Sequence, residues 1–151
     1  MGKLKAVVTQ NIDGLHQEAG SSRVLELHGS IRRSYCMDCH AFYDERFLQA
    51  SEGVPHCTKC GGIVKPDVVL YEESLDAAVL DAAVRAISAA DLLIVGGTSL
   101  VVYPAAGLLR CFKGRRLVLI NKTATKADER ADLVIHDSLG KVFREAMIGL
   151  I

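Results

Sequence analysis

An α/β fold, with a parallel sheet and right-handed crossovers interrupted by a small inserted metal module, is what the 151-residue sequence predicts, on three observations. Short apolar runs at Lys5–Thr9, Val24–Leu27, Leu92–Val95, Leu117–Ile120 and Leu133–Ile135 alternate with stretches of helical spacing, the rhythm of parallel strands linked by helices. Two Cys-x-x-Cys pairs, Cys36/Cys39 and Cys57/Cys60, stand outside that rhythm on either side of His40–His56. Half of the chain is apolar, enough for a sizeable core in one ordinary domain. The expected division is residues 1–35 and 64–151 for a Rossmann-like domain and 36–63 for the metal module.

Lys5–Thr9 (KAVVT) suits a buried parallel strand and breaks at Gln10-Asn11. There Asn11 is placed to cap a helix with Ile12, Leu15 and Ala19 on one face and Gly20 at its end. Val24–Leu27 is a second strand, ending in His28-Gly29. Phe42–Ala50 has the spacing of a short helix within the module. Val64–Tyr71 (VKPDVVLY) is extended and holds Pro66, which suits an edge strand; such an edge could take up a peptide by strand addition or simply close the sheet.

Ser74 is placed to cap a helix reaching about Ala90, with Asp76 in the first turn and Leu80, Val84 and Ile87 on one stripe. Leu92–Val95 leads into Gly96-Gly97-Thr98-Ser99. Pro104 opens and Gly114 closes a further helix, and Leu117–Ile120 ends at Asn121. After Leu133–Ile135, Ser138 begins a last helix whose Leu139, Val142, Phe143, Ala146 and Met147 are expected to face inward.

Two knuckles at this separation can set four thiolates at the corners of a tetrahedron, the closed shell of structural Zn²⁺, and Gly61-Gly62 can take the positive φ of a knuckle. Two disulfides, or His40 or His56 in place of a cysteine, are the alternatives. With no signal-peptide pattern and no apolar run of membrane length, a reducing cytoplasm and an all-cysteine zinc site are expected. Four thiolates leave no position for water, so such a metal holds structure. The fifth cysteine, Cys111, reads as a small buried hydrophobe. Eighteen basic and eighteen acidic side chains cancel and no Lys/Arg run exceeds a pair, which argues against direct nucleic-acid binding; nothing points to a membrane.

In an open parallel sheet, ligands bind beyond the carboxyl ends of the strands, so Gln10–Asp13, His28, Gly96–Ser99 and Asn121 form the candidate site. The Gly-Gly-Thr-Ser turn offers N–H groups and a hydroxyl to a phosphate, ribose or amide, and equally suits a plain tight turn. His28, just past a strand and followed by glycine, can act as a general base. Asn11 and Asp13 can orient a polar ligand, though Asp13 also suits a helix start. His16 reads as a surface residue.

The runs TQNIDGLHQEAG at Thr9–Gly20, LHG at Leu27–Gly29, KPDVVLYEE at Lys65–Glu73, GTSLVVYPAAGL at Gly97–Leu108 and LINKT at Leu119–Thr123, with the two knuckles, resemble the sirtuins, the NAD-dependent protein deacylases. The resemblance runs in order over almost the whole chain. It implies a large Rossmann-like domain and a small zinc domain, with NAD and an acyl-lysine protein or peptide meeting between them. By motif, His28 is the expected general base. Asn11 and Asp13 place the nicotinamide end, Ile12 contributes main chain and Gln10 contacts the ribose. Gly97, Thr98, Ser99 and Asn121 lie on the adenosine side, with Leu139 closing over the adenine, and Val68, Val69 and Leu70 pair with the substrate backbone.

Two departures stand out. Glu72 occupies a position where many relatives have glycine. The family's front section, with its glycine-rich first strand turn and flexible loop, has no counterpart before Lys5, so an incomplete sirtuin catalytic domain is expected. Such a chain should bind zinc, bind NAD weakly, and be partly unfolded or self-associating. The alternative function is a catalytically impaired interaction module built on the zinc site.

Overall fold

The computed structural model describes residues 3–101 and 103–148; Val102, inside the Gly97–Leu108 motif, lies outside them. Contacts divide the chain into two compact units, Met1–Ala82 and Ala83–Ile151.

In the first unit, β1 (Val7–Thr9) pairs in parallel with β2 (Val24–Glu26). Between them α1 (Leu15–Glu18) is a single turn. It is not capped by Asn11, whose N–H goes to Thr9 Oγ1 at 3.0 Å. The Asp13 carboxylate accepts from Leu15 N–H at 3.0 Å, and Gly14 precedes the helix in a left-handed conformation. The segment predicted as the first helical turn is therefore spent on a tight turn.

An antiparallel sheet follows, ordered β4-β3-β5, from β3 (Gly29–Cys36), β4 (Phe42–Asp44) and β5 (Val64–Val68). The sequence gives little sign of β3 because its buried positions are Ser30, Ser34 and Cys36, so no apolar alternation announces it. Phe42 and Tyr43 pair with β3, so the helix expected from Phe42 starts only at Glu45 (α2, Glu45–Gln49). Asp44 caps it, accepting from Phe47 N–H at 3.1 Å. β5 lies at the sheet edge, as Pro66 suggests. The core here is Cys36, Ala41, Cys57 and Val64, with Tyr43, Phe47 and Leu48 packed on it.

Helix α3 (Ala77–Ser88) crosses the boundary between the units and buries Ala83 and Ile87. Asp76 rather than Ser74 caps it, accepting from Val79 N–H at 2.8 Å.

The second unit is a parallel sheet of β6 (Leu92–Gly96), β7 (Arg116–Ile120) and β8 (Leu133–Ile135), with β7 in the middle. Leu109, Leu117, Leu119 and Ala127 form its core, against Leu93, Val95, Phe112 and Val134. The segment after Pro104 is a 3₁₀ helix, Ala105–Cys111, and Cys111 is only half-buried. Helix α4 (Leu139–Met147) buries no residue, and Phe143 and Met147 are 44% and 51% exposed. The inward stripe predicted for it is thus corrected: periodicity shows which residues share a face, and only Leu139 and Val142 of that face are even half-covered. Among the described residues the parallel strands form two sheets, β1-β2 and β6-β7-β8.

Candidate functional site

The four module cysteines converge. Their sulfurs all lie within 4.8 Å of one another, with Cys36–Cys60 at 3.4 Å and Cys39–Cys57 at 3.5 Å. A tetrahedron with Zn–S bonds of about 2.3 Å has edges of about 3.8 Å, so the cluster has the size of a Zn²⁺ thiolate shell. Backbone N–H groups of Asp38 and Cys39 point at Cys36 Sγ, and that of Lys59 points at Cys57 Sγ, each donating to a sulfur that carries charge when metal is bound. The Tyr43 hydroxyl donates to Cys57 Sγ at 3.1 Å and, ahead of the backbone N–H groups, lowers that thiol to about 6. Cys60 receives a lowering hydrogen bond from the Gly62 backbone, yet the thiols of Cys39, Cys36 and Cys57 together push it up to about 12. A crowded thiol set that cannot all ionise alone is what a divalent cation resolves. Neither His40 nor His56 joins the cluster; His56 Nδ1 lies 3.0 Å from the Gly61 carbonyl.

In the same unit, the ends of β1 and β2 bring Gln10 and His28 together, with His28 Nδ1 3.1 Å from the Gln10 carbonyl oxygen. That oxygen can only accept, so Nδ1 carries the proton and Nε2 is left as the basic nitrogen. The Ile12 carbonyl accepts from Ile31 N–H at 3.0 Å, which fixes the Gln10–Asp13 loop against β3. The His28 carbonyl accepts from Val69 N–H at 3.0 Å, so the predicted substrate strand is fixed directly to the histidine's backbone. Val68 and Leu70, one residue to either side, turn their polar groups the other way. Lys65 Nζ donates to the Val68 carbonyl at 3.0 Å, and Glu73 accepts from Leu70 N–H at 2.8 Å and pairs with Lys65 at 3.0 Å. The Leu70 N–H, and secondarily Lys65, hold the Glu73 carboxyl below its usual range. Glu72 adopts φ 70, the left-handed region that glycine takes without cost, which gives its departure from the family pattern a structural meaning.

The second unit has its own cleft of about 420 Å³ beyond the carboxyl ends of β6 and β7, lined by Gly97, Thr98, Ser99, Asn121 and Leu139 together with Lys122, Thr123, Asp137, Ser138 and Gly140. All five cofactor residues expected in this half of the chain line it. A Cβ on Gly96 would collide with the Leu139 side chain, so glycine there lets the start of α4 close down on the end of β6. The hydroxyls of Thr98, Ser99, Thr123 and Ser138 and the amide of Asn121 suit the ribose and base of a nucleotide, as does the size. Asp137 pairs with Lys141 at 2.5 Å, and Lys141, ahead of the Ser138 N–H, lowers its carboxyl. Sequence reasoning missed Asp137 and Ser138; their position between a strand and a helix start was the available signal. A smaller hollow of about 280 Å³ beside Lys5, Gly20 and Arg23 lies at the opposite, amino ends of β1 and β2, away from Gln10 and His28.

The Sir2 family model matches residues 1–104. The chain belongs to the Sir2 family. It is 71% identical over 143 residues to an NAD-dependent protein deacetylase of Clostridium perfringens, covering 94% of this chain and 59% of that protein. It is 49% identical over 141 residues to one of Staphylococcus aureus, covering 93% and 58%. A solved Sir2 structure with a p53 peptide and NAD⁺ superposes with a TM-score of 0.86 at 39% identity, over 97% of this chain and 63% of that one. A Sir2 structure with a propionylated peptide gives 0.88 at 39% identity, over 97% and 64%. This Sir2-family chain therefore spans about 59% of the length of its curated relatives.

Proposed function

We propose that this chain carries catalytic machinery of an NAD-dependent protein-lysine deacylase, which removes an acyl group from lysine and forms nicotinamide and O-acyl-ADP-ribose. The observation that carries the reading is His28, whose Nδ1 is committed to the Gln10 carbonyl and whose Nε2 is left basic, on the segment hydrogen-bonded to the candidate substrate strand. When bound, NAD supplies a glycosidic bond weakened by a positively charged leaving group. Asn11 and Asp13, with the main chain of Ile12 and the side chain of Gln10, would bind and orient its nicotinamide end. Gly97, Thr98, Ser99, Asn121 and Leu139 would hold the adenosine end in their cleft. His28 Nε2 would take the proton of a ribose hydroxyl, and Val68, Val69 and Leu70 would align an acyl-lysine peptide, whose amide oxygen is a poor nucleophile unless held in line.

The cysteine cluster would hold one structural Zn²⁺ within a module at residues 36–63, flanked by NAD-binding parts at 1–35 and 64–151. β3 and β5, which pair at Cys36–Val64, tie module and flanks together. No helix among the described residues is long and apolar enough to cross a membrane, and all five cysteines are free, which supports a cytoplasmic setting.

The test is loss of the acetyl group from an acetyl-lysine peptide, followed by mass spectrometry, with the zinc-loaded chain and NAD. The expected result is deacetylation that His28→Ala abolishes; deacetylation that persists in His28→Ala would contradict the assignment.

A further inference from the structure

We infer that Arg32 is a positioning residue for the Gln10–Asp13 loop, and that it ties this loop to the first turn of α2 in the metal module. Three independent contacts converge on its side chain. Its Nε donates to the Asp13 carbonyl at 3.1 Å. One terminal nitrogen pairs with Glu18 at the end of α1, and the other lies 3.7 Å from Glu45, the first residue of α2. The guanidinium also lies across Gly14: a Cβ at that position would run into Arg32 Nε and Cδ, so the left-handed glycine is as much a seat for the arginine as a turn residue.

The neighbours on β3 reinforce the grip. Ile31 N–H holds the Ile12 carbonyl, the Ser30 hydroxyl reaches the same oxygen at 3.5 Å, and Ser30 Oγ accepts from Arg32 N–H at 3.2 Å. The carbonyls of Ile12 and Asp13 are thus both committed to β3, while the Asp13 carboxylate is engaged by the Leu15 N–H. Arg33, the next residue, serves different partners, bonding Glu26 at 2.7 Å and Asp67 at 2.9 Å. Arg32 is about one-third exposed, so its ion pairs are screened, and geometry rather than charge is what it contributes. Lysine in its place keeps the charge opposite Glu18 and Glu45 but has no donor at the Nε position.

The meaning of this loop for NAD rests on the proposed function, so the experiment separates the two. Amide hydrogen exchange is measured on the zinc-loaded chain and on its Arg32→Lys and Glu45→Gln variants, with zinc content determined for each. In Arg32→Lys, exchange over Thr9–Gly20 is expected to rise about three- to tenfold, the factor for one charge-assisted hydrogen bond at a partly exposed site, while β7 and the zinc content are unchanged. Glu45→Gln should produce a smaller rise in the same segment. Unchanged exchange over Thr9–Gly20 in Arg32→Lys, or a rise spread over the whole chain with loss of zinc, would overturn the inference. NAD titration of the same samples then reads the function. A wild-type chain that binds no NAD counts against the proposed function and not against the positioning role. Weaker NAD binding by Arg32→Lys, with local exchange raised, joins the two.

Discussion

In Met1–Ala82 the most deeply buried side chains are Cys36, Ser30 and Ser34, whereas in Ala83–Ile151 the buried set on the sheet is Leu117, Leu119 and Ile120. The first unit mixes thiols and hydroxyls with the apolar Leu27, Ala41 and Val64 in its interior and braces it with charge: Glu26, its side chain only 6% exposed, is held by Arg33. Burial works against the Arg33 charge, but Glu26 and Asp67 more than offset it and raise its pKa above the ordinary guanidinium value. The second unit rests on aliphatic packing around β7. The difference teaches that the first unit depends on directional interactions and the second on apolar burial, so the two should fail under different insults.

Metal removal should break the comparison most sharply. A structural zinc contributes about 10–16 kcal/mol in isolated zinc-binding peptides, comparable to the roughly 5–15 kcal/mol that stabilises a whole domain. Chelation, or Cys57→Ser, is expected to abolish hydrogen-exchange protection across Gly29–Val68 while Arg116–Ile120 stays protected. Equal loss in both segments would show that the units do not differ in this way. Leu119→Ala is the converse cut. It opens a cavity in the second core at a cost of about 2–5 kcal/mol, visible in thermal melting, and should leave zinc content as it was. The smallest effect sharpens the account of the first interior. Ser34 Oγ is buried with no hydrogen-bond partner among the described residues, so Ser34→Ala is expected to raise stability by about 1 kcal/mol in urea titration, where an ordinary buried hydroxyl would lose it.

What could be read from the sequence follows the same divide. Apolar runs announced β6, β7 and β8 in the second unit, with β8 at its predicted bounds, because β-branched residues there meet a parallel sheet. The strand-end rule then located Gly97, Thr98, Ser99 and Asn121, and the family resemblance added Leu139; all five line one cleft. In the first unit the cysteine spacing was legible, since a metal shell imposes it. β3 was not, because its inward Ser30 and Ser34 carry no hydrophobic period and its outward Ile31 and Tyr35 are exposed. The failed helix cap at Asn11 has a similar origin: Thr9 and Asp13 take the local N–H groups that a longer helix would have used. The exposed face of α4 shows the limit of periodicity, which names a face and not its partner.

Peptide-dependent release of nicotinamide from NAD by the zinc-loaded chain tests the proposed function most directly, because the roles proposed for His28, for Gly97, Thr98 and Ser99 with Asn121, and for Val68, Val69 and Leu70 all bear on it. The account predicts release that requires an acetyl-lysine peptide and disappears in His28→Ala. No release from a chain shown by hydrogen exchange to be folded in both units, with zinc bound, would contradict it.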